Sequence, residues 1–303
     1  MGEILLNAFG FILIILSGFT MKKMGVLKKE DGTTLSKIII NVTLPAVLIN
    51  GLRDVQLTGT FIFLIVAGVV FNLLFALISG FAWRHKSPVD QGFIMYNASS
   101  FNLGNFTMPF MQTFFASSLP FLVMFDIGNA FMMFGLLPIL INQITHLSDE
   151  KPTVKNILLA FGKSIPFMSY LVMFTLTIFS ISLPDGFHNT VQLFANANGF
   201  LSMFMIGLFL DFTLPKSEMA KVTKILTWRY GLSISSSVLI YFFLPVEHTV
   251  KIILMILVLS PIATFSTIKS AEIGAPRESA GFLSSMSILI SFALIVLILL
   301  TLY

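Results

Sequence analysis

Cysteine is absent from the 303-residue chain, and charge is scarce, with 11% of residues Asp, Glu, Lys or Arg. Without cysteine there is no disulfide, no thiolate nucleophile and no thiolate metal site. Soluble globular domains carry roughly 25% charged residues. Less than half of that, with 56% hydrophobic residues and a mean hydropathy of +0.94, excludes a sizeable soluble domain. Histidine is sparse as well. His85, His146, His188 and His248 fall in loops or at the ends of apolar runs, so no nucleophile–His pair can be assembled at membrane depth. Asp126 is the one acidic residue well inside an apolar run, which leaves an aspartyl mechanism without its second carboxylate. No phosphate-binding loop or metal-spaced cluster is visible. The chain therefore reads as a non-enzyme without cofactor or metal site. Its formal charge of +4 is dispersed over short loops, which argues against a nucleic-acid partner.

What fills the chain instead is a series of apolar runs of about 20 residues, each long enough to cross a hydrocarbon core. Charge and turn residues bound spans near 4–21, 35–52, 60–83, 92–116, 119–143, 156–182, 189–212, 225–244, 249–270 and 279–303. The expected fold class is all-α and polytopic, with ten transmembrane helices. The opening "MGEILLNAFG" has an acidic flank and no small-residue cleavage site, and reads as a first span rather than a removable signal. Sixteen of the 18 basic residues, Lys22, Lys86, Lys151, Lys155, Lys163, Lys224 and Arg229 among them, follow odd-numbered spans, whereas Arg53 and Lys251 do not. The positive-inside rule then places both termini outside and the odd-to-even loops in the cytoplasm. The expected location is the inner, cytoplasmic membrane.

The polar segment "THLSDEKPTVK", residues 145–155, divides the chain into a first repeat (1–144), a cytoplasmic linker and a second repeat (156–303). Five spans per half force the halves into opposite orientations, the inverted-repeat plan of many secondary transporters. Pro109 in span 4 and Pro261 in span 9 lie 152 residues apart, each in the fourth span of its half. Paired interruptions of this kind are the strongest sequence pointer to a central binding site.

The interruptions carry the candidate site. In "SSFNLGNFTMPFM", residues 99–111, the residues Asn102, Gly104, Asn105, Thr107 and Pro109 stand at membrane depth. A helix that breaks there exposes backbone groups that only covering protein or a cavity can tolerate, and its freed N–H end suits an anion. Ser260, Pro261 and Thr264 form the matching run in span 9. Asn41 in span 2 and Asn198 in span 7 add polar patches at corresponding positions, for ligand contact or interhelical bonding alike. Gly281, Ser284, Ser287 and Ser291 in span 10 read as a small-residue packing seam. An ionisable residue inside a span marks a functional site by default, so Asp126, with Asn129 three residues on, is the candidate for ion coupling. The alternative for Asp126 is a place near the outer surface, paired with Arg53.

Three segments, "KIIINVTLPAVLI", "NLGNFTMPF" and "LSPIATFSTIKSAEIGAPRESAGFLS", resemble the auxin efflux carrier family, which includes bacterial malate and malonate permeases and the plant PIN auxin exporters. The resemblance covers essentially the whole chain, and the short central loop is similar to that of the bacterial members. It implies an NhaA-like fold with scaffold and transport domains drawn from both repeats, and broken helices 4 and 9 crossing at Pro109 and Pro261. It also matches Asn102 to the substrate-contacting asparagine of the plant carriers.

Together these features lead us to expect a secondary transporter of a small organic anion, a carboxylate of the malate, malonate or auxin kind, working by alternating access. A proton or sodium ion is the candidate coupling ion, and no full positive charge at depth is required. An electrogenic uniporter, a channel and a membrane receptor are the alternatives. The expected partners are the anion and membrane lipid, with a homodimer open.

Overall fold

The computed structural model describes residues 2–53, 55, 58–147, 159, 161–162, 164–179 and 181–302. Met1, Tyr303, Lys151, Lys155, Lys163 and nearly all of the expected linker lie outside the described residues. Among the described residues every regular element is helical. In chain order they are α1 (Gly2–Lys23), α2 (Lys29–Gly51), α3 (Gly59–Ala82), α4 (Pro88–Ser99), α5 (Met108–Phe114), α6 (Leu119–Thr145) and α7 (Ile165–Ile178). Then follow α8 (Asp185–Phe209), α9 (Lys216–Phe243), α10 (His248–Val258), α11 (Thr264–Glu272) and α12 (Arg277–Leu302).

Six of these, at Ile4–Lys23, α2, α3, α6, α8 and α12, are long and apolar enough to cross a membrane. The protein is thus a polytopic helical membrane protein. The four other expected spans differ for identifiable reasons. Residues 92–116 and 249–270 are each split between two helices, and 156–182 is described mainly as the 14-residue α7. The fourth lies within α9, whose 28 residues include Arg229 and a run of serines.

Proline positions the irregularities. Pro45, Pro109 and Pro138 each stand two residues beyond a π turn, at Ile39–Thr43, Leu103–Thr107 and Met132–Leu136. Proline lacks the N–H for the helical ladder and its ring clashes with the carbonyl four residues back. Widening the preceding turn accommodates that clash without ending the helix.

Two groups of helices pack around this framework. α8 lies along α1 and both parts of α2, with α7 against α2. α3 packs on α4 and α6, while α9 and α11 pack on α4 and α12, and α9 also on α10. In each group glycines let two backbones touch. A Cβ on Gly207 (α8) would overlap the Ile15 carbonyl of α1, and one on Gly128 (α6) would overlap the Ile65 carbonyl of α3. Close backbone approach at small residues is how helices associate where lipid removes the hydrophobic drive. The interior is filled by residues such as Phe101, Phe106, Phe110, Phe125 and Leu254, while Leu6, Phe81, Leu193 and Phe243 face outward. At the helix ends, Asp90 is bridged to Lys221, and Asp211 to Lys29 at 3.2 Å. Burial alone would raise both carboxyls, but the lysines and neighbouring hydrogen bonds hold them below the usual carboxylate range.

Candidate functional site

The centre of the molecule is built from two helix interruptions that meet. α4 stops at Ser99, Ser100 is extended (φ −110°, ψ 145°), and the chain turns back into helix at Leu103. α10 stops at Val258 and α11 restarts at Thr264 after an extended Ala263 (φ −65°, ψ 142°). The Asn102 N–H donates to the Pro261 carbonyl at 2.8 Å, joining one break to the other. Thr107 Oγ1 donates to Ser260 Oγ at 2.7 Å. The backbones therefore cross at Asn102 and Pro261. Pro109 is buried seven residues further along, about 10 Å if helical, just after the π turn.

Several backbone groups freed by the breaks find a side chain, as the hydrocarbon environment demands. Asn129 Nδ2 donates to the Phe101 carbonyl at 3.1 Å. Ser287 Oγ accepts the Ile262 N–H at 3.0 Å, and Ser291 Oγ donates to the Leu259 carbonyl at 2.6 Å. The span-10 serines thus do more than pack closely, because they satisfy the second break as Asn129 does the first. Ser266 Oγ donates to the Tyr96 carbonyl at 2.7 Å and contacts Ser100 Oγ, and Asn97 Nδ2 donates to Ser270 Oγ at 2.9 Å.

Arg229 is the residue that the sequence reading missed. It was counted among the cytoplasmic-side charges, yet its side chain is fully buried. The guanidinium donates to the carbonyls of Asn97 (2.9 Å), Ala98 (2.7 Å) and Ser260 (2.6 Å). These oxygens lie at the C-terminal ends of α4 and α10, where partial negative charge accumulates. A planar, multi-donor cation suits such a place better than an ammonium. A signal was available: Arg229, Ser233 and Ser237 recur every four residues, a polar stripe on one face of α9, and all three are buried.

Where the π turn Leu103–Thr107 and α11 begin lies a cavity of about 280 Å³. Asn102, Asn105, Thr264, Asp126 and Asn129 all line it, with Gly104. The amide of Asn102 makes no hydrogen bond with another described residue, and Asn105 Oδ1 is buried without a partner. The first N–H groups of a helix have no intrahelical acceptor, so this end of both breaks offers donors. Phe101, Phe134, Phe167, Phe265 and Tyr170 bring five aromatic rings to its wall, and among the described residues no basic side chain lines it.

Asp126 is held within this cavity by neutral groups. Asn129 Nδ2 donates to Oδ1 at 2.9 Å, and the Tyr170 hydroxyl donates to Oδ2. Asn129 in turn accepts from Asn72 at 3.2 Å. Arg53 bonds Asp185 at 2.5 Å, so Asp126 is not its ion-pair partner there. Tyr170 was not foreseen as a ligand of this acid. Other expected site residues stand apart from the cavity. Asn41 is exposed and donates to the Lys37 carbonyl at 2.7 Å, and buried Asn198 accepts from Thr43 at 2.8 Å. Thr107, Ser260 and Pro261 join the breaks to each other behind it.

Over 221 residues, 70% of each chain, the sequence is 24% identical to a protein of Methanothermobacter thermautotrophicus named an uncharacterized transporter. No family model matches the chain.

Proposed function

We propose that this chain, similar over most of its length to a transporter, is itself a secondary transporter for a small organic anion, a member of the auxin efflux carrier family. The observation that carries the reading is the pair of unspent amides, Asn102 and Asn105, in a partly open cavity at the donor ends of two broken helices. In this reading the chain has ten spans in two inverted repeats of the NhaA-like plan. α1, α2, α7 and α8 form the scaffold, and the remaining helices form the moving unit. The substrate carboxylate sits against helix N–H ends and the amides, and alternating access exposes it to either side.

The lining also bears on the substrate. Five aromatic rings and one set of anion donors suit a monocarboxylate weak acid with an apolar body. The second carboxylate of malate or malonate meets no basic group among the described residues. Asp126 shares the cavity, and two negative charges 5 Å apart repel by about 3 kcal/mol at an effective dielectric of 20. Binding of the anion is therefore accompanied by a proton on Asp126, which makes proton symport the coupling mode.

The test is a thermal-shift screen of purified protein against aromatic and aliphatic monocarboxylates and against malate and malonate, at pH 5 and 7.5, with and without sodium. Monocarboxylates should stabilise the protein, more strongly at pH 5. Asn102→Ala should weaken that binding roughly ten- to a hundredfold, the worth of one hydrogen bond to a charged group, while the unliganded protein melts as wild type does. Dicarboxylates binding equally well would overturn the substrate class. An Asn102→Ala protein that melts early yet binds normally would return Asn102 to a packing role.

A further inference from the structure

A second, larger concavity lies away from the crossing, between the C-terminal end of α3 and residues 220–235 of α9. Its volume is about 770 Å³. From α3 and the turn after it come Ala82, Trp83 and Lys86, and from α9 come residues between Ala220 and Ser235 at spacings of three and four. That spacing is one helical face, running about 22 Å along the axis.

The chemistry of this groove is graded along its length. At one end stand the exposed ammonium groups of Lys86 and Lys224. Neither makes an ion pair among the described residues, and Asp90, whose field reaches Lys86, is bridged by Lys221. Next come Trp83 and Trp228, both half-buried, the latter fixed by an indole N–H donated to Ser79 Oγ at 3.0 Å. Thr227 stands beside Trp228, and beyond the indoles the floor is Gly231, Leu232 and Ser235. Gly231 is exposed, with nothing within 4 Å of where a Cβ would stand.

Cationic heads, then indoles, then an open, uncharged trough is the order in which a phospholipid presents phosphate, glycerol and acyl chain. Tryptophan prefers the membrane interface, and basic pockets between spanning helices recognise anionic lipid headgroups. The trough is somewhat longer than the roughly 15 Å of one leaflet's hydrocarbon, leaving room for the headgroup. A second copy of the chain fits less well, because a two-fold contact at this groove would bring the lysines of both copies together. We infer that the groove between α3 and α9 is a binding site for one anionic phospholipid. Its phosphate lies between Lys86 and Lys224 and an acyl chain over Gly231.

The chain has two tryptophans, and both line the groove, so its intrinsic tryptophan fluorescence reports on this site. The protein is reconstituted in phosphatidylcholine vesicles containing dibrominated phosphatidylglycerol, or dibrominated phosphatidylcholine at the same mole fraction. Brominated phosphatidylglycerol should quench more strongly, and Lys86→Gln/Lys224→Gln should remove the difference, a loss of roughly ten- to thirtyfold in relative affinity. Gly231→Leu should reduce quenching by both lipids, and free inorganic phosphate should leave quenching unchanged. Equal quenching of the wild-type protein by the two lipids would overturn the inference, whether or not the variants fold. Relief of quenching by free phosphate would overturn the lipid as source. Quenching by neither lipid, with a cross-linkable dimer, would assign the groove to a second copy.

Discussion

In the proposed mechanism Asp126 is where recognition and energy coupling meet, because its two oxygens are bonded by Asn129 and Tyr170 inside the cavity that the amides share. The near-isosteric Asp126→Asn removes the proton-carrying group and keeps the shape. We expect it to retain substrate binding within about tenfold, a change of at most 1.4 kcal/mol, and to lose the pH dependence of that binding. Uphill accumulation in proteoliposomes under a proton gradient should fail, while exchange persists. If accumulation follows imposed voltage alone and the variant behaves as wild type, uniport replaces symport. Arg229 has the opposite character, since its two terminal nitrogens are bonded to backbone carbonyls of α4 and the second break. Arg229→Met strands three buried carbonyls at the ends of α4 and α10. An unsatisfied buried acceptor costs about 1–3 kcal/mol, so a loss of at least about 3 kcal/mol is expected in denaturant or thermal unfolding. Arg229→Lys should recover part of it, because a compact ammonium cannot reach both helices as a planar fork does. A Met variant as stable as wild type would show that the clamp is dispensable.

At the scale of elements, the helices are shaped by where proline and glycine fall. The π turns before Pro45, Pro109 and Pro138 widen the ladder without cutting it, whereas α4 and α10 are fully interrupted. Helix contacts depend on glycine at a few positions. Alanine at Gly128 or Gly207 would drive a Cβ into the backbone of α3 or α1, and overpacking of this kind costs typically about 1–3 kcal/mol. Gly10→Ala on α1 meets nothing within 4 Å and should be neutral or slightly stabilising, as alanine favours helix over glycine by up to about 1 kcal/mol. Thermal unfolding of the three variants in one detergent compares them directly. Equal melting of all three would mean that neither backbone contact is tight.

For the whole molecule, the proposed orientation rests on the basic residues. Removing buried Arg229 from the count leaves 16 − 1 = 15 against two, so the positive-inside argument is barely weakened. The native chain has no cysteine, so single cysteines label cleanly. His85→Cys should be protected from an impermeant maleimide in intact cells, and Glu247→Cys should react. Reversal of both would invert the proposed topology. The same reversal would carry the groove of Lys86 and Lys224 to the outer leaflet, where its headgroup partners differ.

The sequence alone determined the class of molecule, because apolar length and scarce charge are local properties that leave only a helical membrane protein. It also located both interruptions, since asparagine, glycine and proline at membrane depth have few structural excuses, and it singled out Asp126 and Asn129 as a pair. Tertiary structure decided what those residues face. It placed Asn102, Asn105, Thr264, Asp126 and Asn129 on one cavity, left Asn41 and Asn198 elsewhere, and joined the two breaks through Asn102 and Pro261. It brought in Tyr170 from α7 and Arg229 from α9, 44 residues and more than 130 residues away from Asp126 and Asn97. The reason is physical. Burial of an ionisable group and satisfaction of a broken helix depend on partners contributed by distant segments, and spacing along one helix carries no record of which segment will supply them.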